Sequence, residues 1–206
     1  IAKTVSALVS HSEKMTQGLY PKIIATKKKE YAEEALKRTL FLAIPTFGMT
    51  MIFVKPMLYI LNPVYVDGTI IAIVMTMRGF AFMFNNISFQ LLNAFDTVDE
   101  NKQLSVKKYL NSKLFFLPTL YYISSGTYIA VLAFYLFFAD PETSDVELVI
   151  SWSIIYLAVT IPLTIYGMIS IKVKHNVSFP VKATLNYIIF GLISSGVTHL
   201  LLENYV

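Results

Sequence analysis

Five apolar stretches of bilayer length constrain this chain more than any motif does. They are separated by loops that are alternately rich in lysine and arginine and free of them. The stretches are Leu40–Leu61, Thr69–Phe89, Leu114–Phe138, Leu148–Ile171 and Ala183–Leu202. About 20 apolar residues cross a bilayer as a helix. The first basic group comprises Lys22, Lys27, Lys28, Lys29, Lys37 and Arg38. The next loop holds Asp67 and no base, and the one after holds Lys102, Lys107, Lys108 and Lys113. Asp140, Glu142, Asp145 and Glu147 follow without a base, then Lys172, Lys174 and Lys182, then Glu203. Lysine and arginine bias a loop towards the cytoplasm. The expectation is therefore a multi-pass protein of the cytoplasmic membrane, with loops 22–38, 96–113 and 172–182 inside. Spans of a β-barrel would be shorter and strictly alternating, and that pattern is missing from the sequence.

Composition agrees. Hydrophobic residues make up 55% of the chain and the mean hydropathy is +0.59. The net charge of +4 is gathered into the basic loops, which suits topology and anionic-lipid contact rather than nucleic acid. There is no cysteine, so thiolate chemistry and disulfides are excluded. The expected architecture is all-α: a polytopic transmembrane helical bundle in one membrane domain, 1–206. Residues 1–22 read as a partial span or an amphipathic helix, since Lys3, His11, Glu13 and Lys14 interrupt its apolar positions. Residues 23–39 read as a charged cytoplasmic connection, within which Lys27–Arg38 reads as a charged helix entering the membrane, and 40–206 as five full spans. Ile1 opens the sequence inside a helix-like segment, which reads as a piece of a longer chain. Pro45, Pro56, Pro118 and Pro162 lie inside spans, where each is either a fixed kink or a hinge.

The second full span carries most of the chemistry. At roughly 100° per residue, Asn85 falls about 20° from Arg78, Asn93 about 60° and Asn86 about 80°. Val74, Phe80, Met83, Phe84 and Ile87 occupy the other side. A cation at mid-depth is costly against lipid, so Arg78 must face protein or a cavity. Two readings stand: a hydrophilic lumen that attracts an anionic substrate, or an arginine held by amides for helix packing. Lys55 either snorkels to the interface or faces the lumen. Lys14, with Glu13 and His11, is either a polar group in a cavity or a solvated helix face. Three scattered histidines give no metal spacing, and neither a metal nor a cofactor is expected. No nucleophile elbow, zinc-binding helix or phosphate loop occurs, so the expectation is a non-enzyme with no catalytic residue. Ser124-Ser125-Gly126 and Gly191 with Ser194-Ser195-Gly196 read as close-packing patches.

Several local strings suggest a family. Leu19-Tyr20-Pro21-Lys22 closes a segment ahead of a charged connection, and Leu40-Phe41-Leu42-Ala43-Ile44-Pro45 opens the next span. Lys55-Pro56-Met57-Leu58-Tyr59-Ile60-Leu61-Asn62-Pro63-Val64-Tyr65 ends that span, and Leu91-Leu92-Asn93-Ala94-Phe95-Asp96 ends the following one. From Leu8 to about Lys113 the chain resembles the second half of a polysaccharide or lipid-linked oligosaccharide flippase. That family is the polysaccharide-transporter branch of the multidrug/oligosaccharidyl-lipid/polysaccharide exporter superfamily. The resemblance implies one lobe of a two-lobed flippase that works by alternating access. Its cargo would be a polyprenyl- or dolichyl-phosphate-linked glycan, and its partners would be membrane lipids and the N-terminal bundle of the same transporter. By the same resemblance Arg78, Lys14 and Lys55 would hold the pyrophosphate, with Asn85, Asn86 and Asn93 lining the cavity. A related drug antiporter would need a carboxylate in the lumen, and no span supplies one. The rival reading is a non-transporting structural or accessory subunit within a larger complex.

Overall fold

The computed structural model describes residues 7, 9, 11–16, 18–96, 110, 112–140 and 143–203. It is an all-α bundle, with no strand among the described residues. A 3-10 segment, His11–Thr16, precedes six α-helices: α1 Tyr20–Thr26, α2 Lys29–Leu61, α3 Thr69–Phe95, α4 Lys113–Phe138, α5 Asp145–His175 and α6 Val181–Glu203. A second 3-10 segment, Pro63–Gly68, joins α2 to α3.

Four helices are long and apolar enough to cross a membrane, which fits a multi-pass membrane protein: α2, α3 with its 3-10 lead-in, α4 and α5. The fifth expected span, Ala183–Leu202, falls within α6, whose apolar run is Val181–Ser194 among the described residues. Residues 1–6, the basic loop positions 97–109 and the side chains of Glu13, Lys113 and His199 lie outside the described residues.

The charged stretch, read as a helix entering the membrane, is one helix with the first span: α2 runs unbroken from Lys29 to Leu61. Ala32, Ala35, Leu36 and Thr39 give its charged end a buried face continuous with Leu40 and Ala43. An inward stripe of this kind keeps a helix going through a polar sequence. The ion pair on its outer face is Glu34–Arg38, at 2.9 Å. The segment before it is not one helix to Lys22. It turns at Gly18 and Leu19 and restarts as α1. Val9, Leu19 and Ile23 are buried, so the segment folds against the ends of α2 and α3. The prolines at 45, 56, 118 and 162 all sit inside continuous helices.

The helices form an open row in the order α6, α2, α3, α5, α4. α3 stands at the centre and packs most extensively on α5. Eleven of its residues are buried, on both of its sides. The helices at the rims present apolar surface outward, with Tyr122 of α4 at 80% exposure and Phe190 of α6 at 73%. In lipid that surface needs no cover.

The basic end is tied together by specific contacts. Lys27 adopts a left-handed conformation (φ 51°) that ends α1, with its N–H donating to the Ile23 carbonyl. Its ammonium donates to the carbonyls of Ala94 and Asp96 at 2.9 and 3.0 Å, capping the C-terminus of α3 where a cation is favoured. Phe95 stacks on His175 at 4.4 Å. The Ser178 N–H donates to the Glu33 carboxylate at 2.9 Å. Together these contacts hold α2, α3 and α5 in one arrangement where the row meets its basic loops.

Candidate functional site

The site is built on the seam between α3 and α5. α5 lays a stripe of small side chains along that seam: Ser153, Thr160, Thr164, Gly167 and Ser170, all buried. A Cβ added at Gly167 would stand 2.9 Å from the Ser88 Cβ and 3.2 Å from the Phe89 ring. A methyl group there would force Ser88 or Phe89 to shift. Close approach through small residues is how membrane helices gain van der Waals contact without a hydrophobic driving force. The Thr164 hydroxyl lies 3.0 Å from the Ala81 carbonyl, to which it donates across the seam.

Arg78 sits about 14 Å along α3 from its start, near the middle of the span. Its Cζ lies 3.3 Å from the Tyr156 ring centroid and 5.5 Å from that of Phe82. The Tyr156 ring packs against that of Tyr128, tilted by 34° at 4.7 Å between centroids, so α5 and α4 together build the aromatic platform. A cation over an aromatic face gains about 0.5–2 kcal/mol, rising with desolvation. Arg78 is half-buried. Its Nε is buried and makes no hydrogen bond, and no carboxylate pairs with it among the described residues.

Two turns further along, Asn85 is 1% exposed, and neither its amide nitrogen nor its oxygen has a partner. Ser88 Oγ and Asn93 Oδ1 are likewise buried and unpartnered. An unpaired buried amide costs about 1–3 kcal/mol. Asn86 turns the other way from the seam's floor and accepts a hydrogen bond from the Tyr121 hydroxyl of α4 at 3.0 Å.

The sequence places Arg78, Asn85, Asn86 and Asn93 on one face, and the structure divides them. Arg78 lies half-open on an aromatic platform, Asn85 is sealed, Asn86 is tied to α4, and Asn93 is half-buried near the basic end. The two further cations do not join them. Lys14 is exposed in the first 3-10 segment. Lys55 is exposed near the far end of α2, beside Tyr59 and Asp67. The apolar side opposite Arg78 is no less buried: Met83 and Ile87 are inside, and Phe80 and Phe84 meet Phe47 and Phe179.

Three features escaped the sequence reading: Tyr156 and Tyr128 under the guanidinium, Gly167 at the crossing, and Lys27 as a cap. Gly167 had a signal in the small residues that recur at helical spacing ahead of it. Neither tyrosine had one, because a stack across three helices leaves no pattern in any single span. The expected small-residue patch at Ser124-Ser125-Gly126 does not pack. Ser125 and Gly126 are exposed, and a Cβ on Gly126 would meet nothing within 4 Å. α4 stands at the rim of the row, where no helix approaches that face among the described residues. No protein-family model matches the chain, and comparison with curated proteins and with solved structures gives no match.

Proposed function

We propose that this chain is a lobe of a membrane transporter that moves a lipid-linked oligosaccharide or polysaccharide precursor across the cytoplasmic membrane by alternating access. Arg78 would engage the phosphate of the cargo. The observation that carries this reading is an arginine at mid-span, half-open, with no carboxylate partner among the described residues. A guanidinium in that setting is matched by a phosphate, which it binds with paired, charge-assisted hydrogen bonds. The Tyr156 platform fixes the plane of the guanidinium and leaves its charge unneutralised. The open row supports the same reading, because a second bundle could close over it, as the two halves of many transporters do. The resemblance of Leu8 to Lys113 to polysaccharide flippases supplies the cargo class, an argument by analogy.

The sealed position of Asn85 favours a second reading, a non-transporting structural subunit whose polar seam serves helix packing alone. Translocation by the full transporter separates the two. Arg78→Gln lowers movement of a phosphate-linked glycolipid about ten-fold or more, the usual worth of hydrogen bonds to a charged group. Arg78→Lys keeps part of the rate, and Asn85→Leu keeps all of it. Transport by Arg78→Gln at the parent rate would leave the structural reading in its place.

A further inference from the structure

The other seam of the row, between α2 and α6, has a different character. Its apolar part is a cleft of about 380 Å³ lined by Leu40, Ile44, Phe47, Phe80, Ile188 and Gly191. Gly191 faces Pro45, and a Cβ there would stand 3.8 Å from the proline Cα, so the helices stay close while the cleft opens beside them. At the basic end the same seam widens into a mouth that carries Lys37 from α2 and Lys182 from α6. Both lysines are exposed, and neither has a carboxylate partner among the described residues. The acids nearby are engaged elsewhere: Glu33 accepts from the Ser178 N–H, and Glu34 pairs with Arg38.

We propose that this seam is a binding site for one anionic phospholipid, independent of what the lobe transports. The phosphate sits between Lys37 and Lys182, and one acyl chain lies in the cleft towards Gly191. Two lysines beside an oily slot match a phosphate joined to a hydrocarbon chain. Length decides between a lipid and a protein helix as occupant. From Leu40 to Ile52 the apolar part runs about 18 Å along α2. One leaflet's share of the hydrocarbon core is about 15 Å, whereas a crossing helix needs about 30 Å of groove. The slot is one leaflet deep, and its charged mouth is where a headgroup would lie.

The test uses the full chain in phosphatidylcholine vesicles doped with phosphatidylglycerol that carries a photoreactive acyl tail. A matched set carries the same tail on phosphatidylcholine. Phosphatidylglycerol should label residues 44–52 and 188–192 in clear preference to phosphatidylcholine. Each lysine is worth about a five-fold preference. Lys37→Gln with Lys182→Gln should bring phosphatidylglycerol down to the phosphatidylcholine level and leave phosphatidylcholine labelling unchanged. Gly191→Leu, which fills the slot, should lower labelling by both. Equal labelling of the parent by the two lipids would overturn the site, since that is ordinary lipid contact. Absence of labelling in the cleft would assign it to a protein neighbour. Competition by soluble glycerol phosphate as strong as by unlabelled phosphatidylglycerol would make it a site for free phosphate. The parent comparison stands even if a variant fails to fold.

Discussion

Two seams of the row are built from opposite materials. Between α3 and α5, Ser, Thr and Gly side chains bring the backbones together until an added Cβ at Gly167 would lie 2.9 Å from Ser88. Between α2 and α6 the helices meet where Gly191 faces Pro45, and the Leu, Ile and Phe side chains beside that contact leave a cleft of about 380 Å³. In water the apolar seam would be expected to close tighter. In lipid, hydrocarbon gains little by leaving hydrocarbon, so closeness follows side-chain size and hydrogen bonding instead. The tight seam can therefore position a charged group to a fraction of an ångström, while the loose one can admit a chain of methylenes.

Substitutions at matched positions test that contrast. The largest effect is expected at Gly167→Ala. Crowding Ser88 and Phe89 costs about 1–3 kcal/mol, which exceeds the gain of about 1 kcal/mol or less from alanine's helix propensity. A lower midpoint of thermal unfolding in detergent is the readout. An unchanged midpoint would mean that the crossing is looser than described. Next is Asn85→Leu, expected to raise stability by about 1–2 kcal/mol, because it removes an amide buried without partners. A loss of stability in the same assay would show that the amide is satisfied. At Gly191→Ala the expected change is a gain of about 1 kcal/mol or less, from alanine's helix propensity with no crowding to oppose it. Its Cβ meets only Pro45, at ordinary contact distance. A drop as large as that at Gly167 would erase the contrast between the seams. The smallest effect belongs to Arg38→Ala at the exposed pair with Glu34, about 0.5 kcal/mol or less and fading with added salt.

Much of the fold was legible because bilayer length and loop charge are coarse, additive signals. The helices of all five long stretches lie where the apolar runs put them, and among the described residues four of them meet the length and composition of a full crossing. The helix ends were less legible. The buried stripe Ala32–Ala35–Leu36–Thr39 carries α2 back through its charged residues, where charge gave a helix entering the membrane but not the face that it buries. At the site, helical spacing put Arg78 and Asn85 on one face of α3. It could not tell a half-open position from a sealed one, because that depends on Tyr156 and Gly167 of another helix. Lys27 carries the same lesson. Counted as one basic residue among several, it is in the structure the cap that joins α1 to the end of α3.

The most direct test of the account is the reach of water to two positions on one helix. The chain has no native cysteine, so Arg78→Cys and Asn85→Cys each report alone in the full-length protein. Each would be treated with a membrane-impermeant thiol reagent from either side of the membrane. The account predicts that position 78 reacts, that a phosphate-linked glycolipid protects it, and that position 85 stays unlabelled. If neither position reacts, Arg78 is a packing residue like Asn85, and the transporter reading is contradicted.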